Sequence, residues 1–180
     1  ILADPRDATM QRKLNLKVKF RESFRPFAPV VLESDYQEWF QSEIGSPYMT
    51  FVDRIREEKL VARVNKDSDK SPLSRINDIR SEIPAVTHVN NTARVQTLRE
   101  QQNERLFKLI KAFKKLTGCP ILINTSFNVR GEPIVCTPED AFRCFMGTEI
   151  DILVIGNSFL EKNSQNESLI TNYRNSFLAD

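Results

Sequence analysis

The sequence predicts a single-domain α/β protein with helices packed on a mixed or parallel sheet. Three observations carry this. After residue 93 the segments alternate as β, α, β, α, β. Residues 100–117 hold the longest apolar period near 3.6. Ile121–Asn124 is a short β-prone run of the kind that forms a buried strand. With 180 residues, 40% apolar and 28% charged, the chain has the composition of one globular domain. At that size it buries roughly 70% of its unfolded surface, enough for a core without disulfide staples.

The elements follow in order. The opening ILADP reads as the interior of a structured segment, so the chain is expected to be part of a longer one. Residues 14–32 mix β-branched, aromatic and basic side chains around Pro26 and Pro29, which predicts short extended pieces joined by fixed turns. Tyr36, Trp39 and Phe40 at helical spacing predict a short helix over 33–40. After the Ser46-Pro47 break, residues 48–52 alternate as a strand, and residues 57–64 form a second short helix. Residues 65–82 are polar and read as a surface loop. Pro84–Val89 and Ala93–Leu98 are β-prone. In 100–117 the positions Leu106, Leu109, Ile110, Phe113 and Leu116 make one apolar stripe. Gly118 offers a left-handed cap and Pro120 stops the helix. Thr137-Pro138-Glu139-Asp140 supplies an N-cap hydroxyl, a first-position proline and first-turn acids, so a helix runs from there to about Gly147. A final strand spans Ile152–Ile155. Residues 161–180 form a weakly patterned tail, helical around 169–177.

Charge narrows the function classes. Twenty-six Lys and Arg against 24 Asp and Glu leave +2, too little for a protein that holds nucleic acid by bulk electrostatics. No apolar run approaches the ~20 residues of a membrane helix, and no leader is visible, so a soluble cytoplasmic protein is expected. Cys119, Cys136 and Cys144 match no zinc or redox spacing. Cys136 and Cys144 read as small core residues. The single histidine, His88, is too little for a metal cluster or a nucleophile triad and reads as structural.

Local charge is more telling. In KFRESFRPFAP, residues 19–29, a strand would put Lys19, Arg21 and Arg25 on one face and Glu22 on the other. Such a row is a phosphate or carboxylate site, or a set of cations paired with distant acids. NTSFNVRGEP, residues 124–133, follows the predicted strand with hydroxyls, amides, Arg130 and Gly131. That is either a ligand-bearing turn or an ordinary polar one. Neither a Walker-type loop nor a dinucleotide fingerprint is present. Arg94 and Gln96 share a face of a short strand in NNTARVQ.

Taken together, ILADPRD, VKFRESFRPFAP, HVNNTARVQ and GCPILINTSFNVRGEPIVCTPEDAFRCF with EIDILVIGN resemble the C-terminal, YrdC-like domain of NodU/CmcH-type O-carbamoyltransferases. The resemblance covers residues 1–162 and leaves 163–180 as a tail. It implies a YrdC-like twisted mixed sheet flanked by helices. It also implies a domain that combines ATP, carried as its Mg²⁺ complex, with carbamoyl phosphate into carbamoyl adenylate. A Kae1-like N-terminal domain of the same polypeptide, with its own metal, would then transfer the carbamoyl group. Lys19, Arg25 and Arg94 match the family's cationic positions and are the expected catalytic residues. Ser126 and Asn128 match its S-x-N, and Arg21 and Arg130 lie in the same motifs as nucleotide or phosphate contacts. Two departures limit the likeness. The family's GPRALGxRS segment would precede ILADPRD, and the Asp expected after its His-Val pair is Asn90 here. Membrane and nucleic-acid partners are not expected. The alternative is an RNA-binding or non-catalytic docking module of the same fold.

Overall fold

A computed structural model describes residues 1–61, 78–170 and 173. It is a mixed α/β structure dividing into two compact units, one of Ile1–Gln11 with Pro26–Thr125, the other of Arg12–Arg25 with Ser126–Asp180.

The first unit is built on a four-stranded sheet. Its strands are β1 (Leu2–Ala3), β2 (Ala28–Leu32), β5 (Gln96–Leu98) and β6 (Ile121–Asn124), in the order β1-β6-β2-β5. β2 runs parallel to β5 and antiparallel to β6, with Val30 opposite both Gln96 and Leu122. The sheet is therefore mixed. β2 is buried along its whole length, as its unbroken apolar run demands. A second ribbon pairs β3 (Val52–Arg54) with β4 (Thr92–Arg94), placing Val52 opposite Arg94. Two short helices, α1 (Met10–Lys13) and α2 (Tyr36–Trp39), precede the long helix α3 (Glu104–Thr117).

α3 covers the sheet. Asn103 caps its start by accepting the Leu106 N–H, and Gly118 ends it at φ 77°, a conformation that costs a glycine least. Ile110 packs with Val30, Leu32, Leu98 and Leu122, joined by Leu106, Phe107 and Phe113. The expected stripe is rotated, because Leu109 and Leu116 are 49% and 85% exposed while Phe107 packs inward. At 100° per residue, 106, 107, 110 and 113 span one arc, and 109 and 116 fall outside it.

The second unit contains α4 (Pro138–Met146), β7 (Ile152–Ile155) and β8 (Ser158–Glu161), the last two forming an antiparallel hairpin. Thr137 and Asp140 make the reciprocal capping box. Thr137 Oγ1 accepts the Asp140 N–H while the Asp140 carboxylate accepts the Thr137 N–H. Ala141, Phe145, Met146 and Leu153 form the core beneath α4.

Several expectations are corrected. Residues 19–25 form no strand, and that segment is treated below. Pro84–Val86 is a 3₁₀ turn, since proline offers no N–H to a ladder. The strand expected over 48–52 begins at Val52, after a turn in which Met49 takes φ 58°. The helix expected over 57–64 is a single turn, Glu57–Lys59, and residues 62–64 lie outside the described residues. So does the expected loop as far as residue 77. Its end is packed, with Arg80 and Ser81 buried. Cys136 is exposed rather than a core residue, whereas Cys119 and Cys144 are buried. Most of the expected helix at 169–177 also lies outside the described residues. Among the described residues no helix is long and apolar enough to cross a membrane.

Candidate functional site

The second unit gathers Lys19, Ser126 and Asn128. Leu14–Val18 makes a π-helical turn closed by the Lys19 N–H donating to the Leu14 carbonyl at 2.8 Å, a widened turn frequent at functional sites. Phe20 follows at φ 49°, which a bulky L-residue adopts only when its surroundings enforce it. The reversal breaks any strand through 19–25. Asn15, fully buried, then holds the turning chain. Its Nδ2 donates to the Ser23 and Arg25 carbonyls at 3.0 and 2.9 Å, and its Oδ1 accepts from Arg21 Nε at 2.7 Å. Sequence reasoning passed over Asn15. A polar residue within an apolar-basic stretch was its only signal.

The reversal delivers Lys19 Nζ into a cage. The side chain is 4% exposed, and Nζ donates to the Ser126 carbonyl, the Asn128 carbonyl at 2.9 Å, Asn128 Oδ1 at 2.9 Å and Ser126 Oγ at 3.1 Å. All four atoms accept and none is a carboxylate. An ammonium fills this cage, since an amine would aim its lone pair at an oxygen. Burial lowers the Lys19 pKa from 10.5 to about 8, with Arg21 adding repulsion. Lys19 therefore remains charged at neutral pH; among the described residues no acid forms an ion pair with it, although the buried Glu132 carboxylate favours its charged form.

The partner loop is shaped by its own bonds. Ser126 Oγ donates to Asn128 Oδ1 at 2.6 Å, and Asn128 Nδ2 donates to the Glu132 carbonyl at 2.7 Å. The Glu132 carboxylate turns back to accept the Val129 N–H at 2.9 Å, and Gly131 takes φ 75°. The Arg130 N–H donates to the Lys19 carbonyl at 3.1 Å, tying the two segments. Ser126 and Arg130 are exposed while Lys19 is buried behind them.

Arg21, Arg25 and Arg130 belong to the same unit. The expected separation of Glu22 from its neighbours is wrong, because once the strand is lost Glu22 pairs with Arg25 Nε at 3.1 Å and with Arg130 at 3.4 Å. Burial, then the Arg25 charge, lowers the Arg21 pKa. Three cations, Arg21, Arg25 and Arg130, surround one exposed acid, and exposed pairs of this kind hold only weakly. A multiply charged anion displaces such pairs readily.

Arg94 belongs to the other unit. It is exposed at the end of β4, and among the described residues no acid pairs with it. His88 is used structurally. Its Nδ1 shares a 3.0 Å bond with Thr92 Oγ1, and Thr92 Oγ1 donates to Asn90 Oδ1 at 2.7 Å. Burial, then the Arg94 charge, lowers its pKa. No group of three or more His, Cys, Asp or Glu among the described residues could hold a metal ion. The Cys144 thiol, pushed up to about 12 by burial and the nearby Glu132, is no nucleophile.

The sequence matches the family described as Carbamoyltransferase C-terminus over residues 1–162. Among its relatives, a Synechocystis protein is 50% identical over 92% of this chain and 27% of its own length. The nodulation protein NolNO of Sinorhizobium fredii is 43% identical over 90% of the chain and 21% of its own length. The 3'-hydroxymethylcephem-O-carbamoyltransferase of Amycolatopsis lactamdurans is 31% identical over 90% and 27%. The chain thus spans about a quarter of the length of the curated relatives it matches. On these matches the chain belongs to the carbamoyltransferase C-terminus family.

Proposed function

We propose that this chain is the nucleotide-binding part of an O-carbamoyltransferase, where ATP and carbamoyl phosphate yield carbamoyl adenylate for transfer by an N-terminal domain of the same polypeptide. The observation that carries the reading is a buried ammonium, Lys19, whose direct partners are all neutral oxygens of a hydroxyl-bearing loop, with the Glu132 carboxylate acting on it only through its field. A fixed positive charge of that kind has its lowest energy when an anion arrives.

Adenylation joins two substrates rich in negative oxygens, and offsetting their repulsion is the principal electrostatic task. In this reading Lys19 acts through its field and by fixing Ser126 and Asn128, because its three N–H donors already have four acceptors. Ser126 presents its hydroxyl at the solvent face. Arg21, Arg25 and Arg130 supply guanidinium forks to phosphate oxygens once Glu22 is displaced. Arg94 is the family-matched cation of the other unit and is tested separately. Mg²⁺ enters as part of the ATP substrate, bound mostly by phosphate and water, so the protein need offer few ligands. Water releases inorganic phosphate from carbamoyl phosphate, the carbamate oxygen attacks the α-phosphorus of ATP, and as pyrophosphate leaves these cations take up the charge that develops on it. No covalent protein intermediate is involved.

The test is carbamoyl phosphate-dependent consumption of ATP by the full-length protein. Ser126→Ala and Arg94→Ala each lower kcat/KM at least about tenfold, a loss of ~1.4 kcal/mol in transition-state stabilisation. Unchanged turnover in both variants refutes the assignment.

A further inference from the structure

We propose that Tyr173, which lies beyond the family-matched residues 1–162, is a positioning residue for the Lys19–Ser126–Asn128 cage. What the cage binds rests on the nucleotide reading above, but the positioning itself does not.

Two independent features support it. The first is a path of contacts. Tyr173 is 3% exposed and forms a buried cluster with Val129 and Cys144, against which Phe20, Phe127 and Val135 pack. Phe20 directly follows Lys19, and Val129 directly follows Asn128. The cluster that Tyr173 belongs to therefore backs both segments of the cage. Its hydroxyl donates to Glu132 Oε1, while Glu132 Oε2 accepts the Val129 N–H and the Glu132 carbonyl accepts Asn128 Nδ2. The chain of bonds runs from Tyr173 through Glu132 to Asn128, whose side-chain oxygen accepts from Lys19. Burial and the Glu132 carboxylate push the Tyr173 pKa up to about 12, so the hydroxyl stays a donor.

The second feature is the seat. Gly147 has φ −83° and ψ −3°, ordinary right-handed values open to any residue, so its backbone does not call for glycine. Its space does. A Cβ at position 147 would lie 2.3 Å from Tyr173 Cβ and Cγ, well inside van der Waals contact. Helix α4 thus ends on a residue without a side chain where the tyrosine enters. Together these make Tyr173 an outer support for the cage, of the kind whose loss from a metal site costs about ten- to a hundredfold.

The experiment follows the Lys19 amine in the full-length protein by NMR of [ε-¹³C]lysine, its signal assigned with Lys19→Arg, beside the KM for ATP. The variants are Tyr173→Phe, which keeps the ring, Tyr173→Ala, and Gly147→Ala, which keeps the tyrosine but denies its seat. The expected result is a Lys19 midpoint near 8 in the wild type, rising toward 10.5 in Tyr173→Ala and Gly147→Ala as water enters the cage. Their combination adds no further shift, because both act through one contact. The KM for ATP rises about tenfold with either change. Should Tyr173→Ala fail to fold, Tyr173→Phe decides, with a smaller shift of the same sign. A Lys19 midpoint unmoved in every folded variant overturns the proposal. A midpoint that moves in a protein that never binds ATP keeps Tyr173 as a positioning residue and discards the nucleotide reading.

Discussion

Lys19→Met replaces the buried ammonium with an uncharged chain of similar length, and the consequence is a change in how stability depends on pH. In the folded protein the Lys19 pKa falls from 10.5 to about 8, chiefly through burial. The difference corresponds to about 3 kcal/mol that the charged form costs the native state. The sign follows from proton counts. Below pH 8 both states hold the proton and the full cost applies. Between pH 8 and 10.5 the unfolded chain keeps a proton that the folded one releases, so the free energy of unfolding rises with pH. Above 10.5 both are neutral and the cost has gone. Buried Cys119 and Cys144, with pKa values raised to about 11 and about 12, change stability in the opposite sense over an overlapping range. Subtracting the Lys19→Met curve cancels the Cys119 part, and the Cys144 part, which is coupled to Lys19, is removed by making the comparison in a Cys144→Ala background. Urea melts of both proteins from pH 7 to 11 should show the wild type gaining about 3 kcal/mol on the variant across that window. Parallel curves would refute the picture of a buried charge that costs the native state stability.

The remaining predictions concern the helix behind the site and the division of labour within it. Thr137→Ala removes one half of the capping box with Asp140 and should lower stability by about 1 kcal/mol, read as a shifted urea midpoint at constant slope. It should leave the KM for ATP unchanged. The Arg94→Ala loss proposed above should, by contrast, appear without a change in urea midpoint, since that side chain is exposed, whereas Ser126→Ala also removes the Oγ bonds to Lys19 and Asn128 and should lower the midpoint modestly.

What the sequence revealed follows from how far each signal reaches. The α3 helix was legible because its cap, period and stop lie within one stretch, although the period alone could not tell Phe107 from Leu109 as the inward residue. The capping box before α4 was legible for the same reason. The row Lys19, Arg21, Arg25 was misread because alternation carries meaning only in a segment that finds a ladder partner, and the π turn with the reversal at Phe20 prevents one. Lys19, Ser126 and Asn128 are expected, through a family likeness, to converge on one phosphate site, but not to bond to one another. Their mutual bonding spans 107 and 109 residues, and no local pattern encodes it. Glu132 and Tyr173, 41 residues apart, gave no sign at all. Glu132 carries no pattern of its own within NTSFNVRGEP, and Tyr173 stands as a single aromatic in a weakly patterned tail. Gly147 looked like a helix stop, whereas its role is the room it leaves for the tyrosine.

The most direct test of adenylate formation at this site is exchange of labelled pyrophosphate into ATP by the full-length protein. Label should enter ATP only when carbamoyl phosphate is present, and Ser126→Ala should suppress it. Exchange that ignores carbamoyl phosphate, or none under any condition with folded protein, would contradict the account.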